Sequence, residues 1–287
     1  MRNKETVKLK KSFYTALMVL LIAFLSMVSV TYAWYVFNTK GHTTNVKMAA
    51  GSSTKLRIGK ENGEFGFSTE METFEGKLLP VSCADIDSGE GFQMVTEFEH
   101  MPDMSMLASK FGKLTGTKQY YHTKLQLKTN AQSLDIYVKL KYTDEETASD
   151  KMISKALRVG LVMDGQESIF ELNKEKGANR NTTKNPTGMK EPFVIDKNGN
   201  LVSMEGKLLS EDNYCDYDES TGKVTLKDNS KKIGTLSGGD GEDYGPAETV
   251  DVYVWLEGCD LDCTDELVDT TLKDLTIIFA GVEATIG

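Results

Sequence analysis

Apolar and polar residues alternate with period two over two adjoining stretches. Tyr121, Thr123, Leu125 and Leu127 share one face of Gln119–Thr129, and Leu134, Ile136, Val138 and Leu140 share one face of Leu134–Tyr142. Alternation this long predicts strands with one buried and one wet face, as in an antiparallel sandwich. Asn130-Ala-Gln-Ser between them has the length of a hairpin turn. Shorter strands are predicted at Trp34–Phe37, Thr43–Met48, Thr54–Ile58 and Phe92–Phe98. Leu157–Met163 ends on Asp164-Gly165, with Ser168–Leu172 as the returning strand. Turn chemistry predicts hairpins around Asp196-Lys-Asn-Gly-Asn and Glu219-Ser-Thr-Gly. Val250–Leu256 and Leu275–Phe279 are the last strands. Asp144–Ala156, acidic at its start, is the best helix candidate, and Thr264–Val268 is a second short one. Polar, turn-rich segments at 59–118 and 173–245 read as large loop insertions, and Ser237–Gly245 as a flexible loop. The expected fold is mainly β: an antiparallel sandwich over residues 34–287 with long loops and one or two short helices.

A different pattern precedes it. Ser12–Thr39 contains no charged residue, and Phe13–Val30 is almost wholly apolar. Arg2, Lys4, Lys8, Lys10 and Lys11 stand ahead of it against one acid, Glu5. That bias holds the N-terminus in the cytoplasm and sends the remainder out. Residues 1–33 are therefore a signal peptide cleaved between Ala33 and Trp34, with Thr31 and Ala33 as the small residues at the cleavage site, or an uncleaved anchor crossing the membrane through residues 12–34. Either way the protein is expected outside the cytoplasm, free or on the cell surface.

The charge balance narrows the partners. The chain holds 33 basic and 43 acidic residues, a formal net charge of −10, and five of the bases but one of the acids lie in the leader. The exported part is more acidic than the whole, which argues against nucleic acid as a partner.

Candidate chemistry concentrates near the C-terminal end. Glu257, Asp260, Asp262, Asp265 and Glu266 place five acids within ten residues, enough oxygen ligands for one Ca²⁺, against the plainer reading of a solvated acidic turn. No other cofactor is expected. Cys83, Cys215, Cys259 and Cys263 all follow the leader, in a space where pairing is permitted. Cys259 and Cys263 are spaced closely enough for a small-loop disulfide. The three histidines, His42, His100 and His122, lie beside no cysteine, so a structural zinc site lacks its usual ligand spacing. No Ser/His/Asp or paired-carboxylate signature stands out, and an enzyme is not expected.

Two motifs point together to a family. Val-Thr-Tyr-Ala-Trp-Tyr at 30–35, followed by Asn38 and the 44–50 strand, resembles the leader end of Firmicutes proteins processed by SipW-type signal peptidases, the TasA and camelysin group. Val-Trp-Leu-Glu-Gly-Cys-Asp-Leu-Asp-Cys at 254–263 looks like the Trp-x-Glu-Gly-x-Asp-x-x-Cys ending of clostridial surface proteins with the same leader, and Ala156–Leu161 is similar to their middle strand. The resemblance covers about a quarter of the chain. It implies a jelly-roll-like fold at the cell surface, a SipW-type peptidase as processing partner, and a structural subunit of the extracellular matrix. It further implies homopolymers, or assembly with other surface proteins, through an N-terminal strand given to the next subunit. Here that strand would use Trp34, Tyr35, Val36, Phe37, Val46 and Met48. The alternative function is a membrane-anchored binding or adhesion module for a glycan, metal or protein.

Overall fold

The alternating patterns become seventeen strands among the described residues of the computed structural model. Those residues are 47–51, 55–70, 78–87, 91–100, 106–114, 119–142, 153–173, 193–198, 200–218, 220–260, 262–263, 267, 272 and 275–283. All belong to the unit Thr44–Gly287, which separates from Met1–Thr43. The strands are β1 Lys47–Gly51, β2 Leu56–Lys60, β3 Ser68–Glu70, β4 Pro80–Ser82, β5 Gln93–His100, β6 Met106–Lys113, β7 Tyr121–Thr129, β8 Ser133–Lys141 and β9 Leu157–Met163. They continue as β10 Gln166–Glu171, β11 Phe193–Ile195, β12 Leu201–Ser203, β13 Asp216–Asp218, β14 Lys223–Thr225, β15 Gly234–Ser237, β16 Glu248–Glu257 and β17 Thr276–Glu283.

One sheet runs β15-β8-β17-β1-β3. In the other, β16 is flanked on one side by β9 and then β10. Its other side is shared by β7 over Glu248–Val254 and by β4 at Leu256 and Glu257. β2 continues from β7, and β5 and β6 continue from β4. Leu134, Ile136, Val138, Ile277 and Phe279 of the first sheet share one core with Leu56, Ile58, Leu125, Leu127, Val159, Leu161, Val252 and Val254 of the second. A smaller core lies on the opposite face of β9 and β16, where Val162, Tyr253 and Trp255 meet Val81, Ile86, Phe92, Val194 and Met204. Strands covered on both faces read as continuous apolar runs, hence Leu157–Met163 and Val252–Leu256.

Four expectations change. β7 and β8 do not pair: β7 bonds β2 and β16, whereas β8 bonds β15 and β17. Both bury their alternating faces in the same core from opposite sides, so the Asn130–Gln132 connection crosses between sheets. The glycine-rich loop is a clamp on that crossing, with Gly238, Gly239, Gly241 and Gly245 donating backbone N–H groups to the carbonyls of Gln132, Ala131, Asn130 and Thr129 at 2.7–3.3 Å. Those carbonyls are thereby satisfied where the chain passes from one sheet to the other. A Cβ on Gly239 would lie 2.2 Å from the Asn130 carbonyl carbon, so only glycine fits. Second, the pairing is not wholly antiparallel, because β1 runs parallel to β17 and β4 parallel to β16. Third, the segments read as loop insertions carry, beside the strand and the hairpins predicted there, the strands β3, β4 and β6 in the first and β15 in the second. Fourth, the C-terminal end of the predicted 144–156 helix is a 3-10 turn at Ile153–Lys155, while residues 143–152 lie outside the described residues. Of the Thr264–Val268 turn only Leu267 is described.

The hairpins β9–β10, β11–β12 and β13–β14 form as their turns predict. Asp164 and Gly165 both have positive φ, 51° and 69°, the backbone of a two-residue turn matched to strand twist. Asp196 accepts the N–H groups of Asn198 and Asn200 at 2.9 and 2.8 Å, closing the second turn through its own side chain.

Candidate functional site

Two places gather the residues singled out by sequence. The first is the slot of β1. Met48 pairs with Ile277 of β17 on one side and Thr69 of β3 on the other. The parallel β1–β17 register runs from Lys47↔Thr276 to Gly51↔Ala280. β3, the outer neighbour, is three residues long. The first described strand is thus an inner strand of the sheet, laid along the last strand of the chain. Ala33, Trp34, Tyr35, Val36, Phe37 and Val46 lie outside the described residues, as does the apolar stretch 12–39. Among the described residues no helix is long and apolar enough to cross a membrane.

The second place is the turn after β16. Glu257 is 2% exposed. Its Oε2 accepts the Trp255 indole N–H at 2.9 Å and its Oε1 the Cys259 N–H at 3.0 Å. The Ser82 hydroxyl also bonds its carboxylate, and Ser82 Oγ accepts the Ile195 N–H at 2.9 Å. One carboxylate therefore ties β16 to β4 and, through a serine, to β11. Asp260 forms a buried ion pair with Arg158 of β9, and Arg158 also feels Glu171 and Glu257. Arg158 donates from Nη1 to the carbonyls of Lys155 and Leu157 at 3.3 and 3.2 Å. The Asp262 N–H returns to Asp260 Oδ1 at 3.0 Å.

Burial drives the Glu257 carboxyl up to about 7, opposed by its hydrogen bonds from Ser82 and Trp255 and by the Arg158 charge. The solvated acidic turn is corrected at Glu257 and Asp260: both face inward, and the cation they meet is a guanidinium. Among the described residues no three His, Cys, Asp or Glu side chains are grouped to hold a metal ion; Asp265 and Glu266 lie outside them.

The disulfide suggested by spacing is not formed: Cys259 and Cys263 are both buried and are not joined to each other. Cys263 packs into the main core, whereas Cys259 interacts with Ser82 and Glu257. Burial pushes Cys83 up to about 12, Cys215 up to about 11 and Cys259 well above the ordinary thiol value. Thiols held protonated in this way are poor nucleophiles.

Arg158, Ser82, Lys155 and Glu171 were not singled out by their chemistry. The available signal was Arg158 itself: an arginine inside the apolar run Leu157–Met163 is buried only with a partner.

Comparison with protein-family models, curated proteins and solved structures gave no match.

Proposed function

We propose that the chain is an exported, non-enzymatic structural subunit of a Gram-positive cell surface or extracellular matrix. Its finer fold in this reading is a jelly-roll-like sandwich, and its subunits join when the N-terminal segment ending in β1 pairs with β17 of the next copy. The observation that carries the reading is the place of β1, an inner strand at the very start of the described unit with only the short β3 outside it. A strand in that position can be exchanged between copies because the same backbone bonds form with either β17. Export is supported by the charge-free stretch Ser12–Thr39 behind its basic flank, with a SipW-type peptidase as the processing partner.

The test is to delete Trp34–Gly51 and to follow mass in solution and on unheated gels. A folded protein that no longer polymerises is the expected result. Polymers that persist after the deletion overturn strand donation. N-terminal sequencing of the protein from its own cells gives Trp34 if the leader is removed. An intact leader on a monomer would replace the polymer reading with a tethered binding module.

A further inference from the structure

Among the described residues, one long sheet edge is left without a neighbour. β10, at one end of the second sheet, is closed by Leu209, which accepts the Glu171 N–H and donates to the Ile169 carbonyl, both at 2.9 Å. β2 is closed in the same way by Gly66, which exchanges two bonds of 2.9 Å with Ile58. In the first sheet the end strands β15 and β3 are four and three residues long. β6 ends the second sheet with eight residues, Met106–Lys113, and β5 is its only neighbour among the described residues.

That edge belongs to a ribbon. β4 pairs with β5 only at Gln93 and Met94, so from Val95 to His100 β5 has β6 alone beside it among the described residues. An isolated two-stranded ribbon is marginal in water, and further strands make it stable. A bare edge also offers its unpaired backbone groups to an extended chain. The residue order of β6, Met-Leu-Ala-Ser-Lys-Phe-Gly-Lys, favours one such chain. Antiparallel pairing of β6 with its own copy has one register in which all eight residues are matched. Met106 then stands opposite Lys113 of the second copy, Leu107 opposite Gly112, Ala108 opposite Phe111 and Ser109 opposite Lys110. Leu107 and Phe111 each meet a small residue, and no lysine meets a lysine, the match that would repel. Because the paired strands run oppositely, the places where the two ribbons join their own sheets lie at opposite ends of the pair.

We propose that this edge is a dimerisation surface, with β6 of one copy paired antiparallel to β6 of a second about a two-fold axis between Ser109 and Lys110. The pairing adds about eight main-chain hydrogen bonds and turns two ribbons into one four-stranded sheet, β5-β6-β6-β5. The contact is isologous and closes at two copies. It is independent of strand donation, which joins copies through β1.

The experiment uses the full chain in mild detergent. Ser109→Cys with Lys110→Cys sets two matched cysteine pairs across the two-fold axis, and oxidation is expected to give a disulfide-linked dimer on a denaturing, non-reducing gel. Ala108→Cys with Lys110→Cys has no directly opposed pair in this register and is the control, as is wild type for the buried native cysteines. Donation of β1 brings neither position to another copy's β6, so loss of polymers and loss of this cross-link are separate outcomes. Sedimentation equilibrium adds a second measurement: Ser109→Glu, opposite Lys110, is expected to tighten the dimer about threefold to tenfold, and Ser109→Lys to weaken it by as much. Equal cross-linking of the two double variants overturns the proposal, as do charge variants that leave dimerisation unchanged or move it the same way. A chain that stays monomeric at every concentration also overturns it and leaves the edge to a strand of another protein.

Discussion

Glu257 gives the fold one source of pH-dependent stability. Its folded value, about 7, lies above the ordinary 4.5 because burial penalises the charged form. Between those values the native state holds a proton that the unfolded chain releases, so the stabilisation is complete below about 4.5 and is lost as pH rises through 7. The shift corresponds to about 3 kcal/mol. Wild type is therefore expected to show a lower urea midpoint at pH 8.5 than at pH 5. Glu257→Gln should lack that part of the slope, although its amide N–H₂ faces donors and lowers stability at both pH values. Equal slopes for the two proteins would mean that Glu257 does not titrate in this range. Arg158 gives the complementary case. Replacing it with leucine strands the buried carboxylate of Asp260 and is expected to cost about 3–5 kcal/mol in urea unfolding. Adding Asp260→Leu should recover a large part of the loss, because a buried pair replaced by apolar side chains no longer leaves a charge unpaired.

At the level of elements, the turn after β7 shows what a sequence can and cannot convey. Alternation along Tyr121–Thr129 and Ser133–Lys141 states which side chains face the core, and the burial agrees. It says nothing about which strand lies alongside, and here the neighbours are β16 and β17, more than a hundred residues away. Local turns were legible for the opposite reason: Asp164-Gly165, Asp196–Asn200 and Asp218–Gly222 close through their own backbone and side chains. Three-residue strands such as β3 and β4 are too short to show a period. The acidic turn was legible as a place, because acids and cysteines crowd there. Its inward direction was not, since that depends on Arg158, about a hundred residues earlier. The glycine clamp makes a direct prediction. Gly239→Ala drives a methyl group into the Asn130 backbone and is expected to lower stability by about 1–3 kcal/mol, with new protease cleavage between Gly238 and Gly245. Unchanged cleavage and midpoint would show that the loop yields without cost.

For the whole molecule, the proposed strand donation would set a competition for β1 between closing on its own β17 and joining another copy's. Releasing it breaks main-chain bonds worth about 0.5–1.5 kcal/mol each, and exchange re-forms the same bonds. The balance then rests on effective concentration, which for a strand tethered four residues ahead of Leu56 is about millimolar or above. A dilute sample should stay monomeric, and assembly should begin at high local concentration, as at a secreting surface. Register partners in neighbouring strands lie close enough for a disulfide, and Met48 is the partner of Ile277. The double variant Met48→Cys, Ile277→Cys therefore tests the competition within one sample. Oxidised while dilute, it should lock β1 at home and remain monomeric when concentrated. Reduced, it should assemble as wild type does. The buried native thiols are slow to react in the folded state, and wild type under the same oxidant controls for them. If the locked form polymerises as readily as the reduced one, subunits join by a surface other than β1, and the N-terminal strand serves only the fold of its own chain.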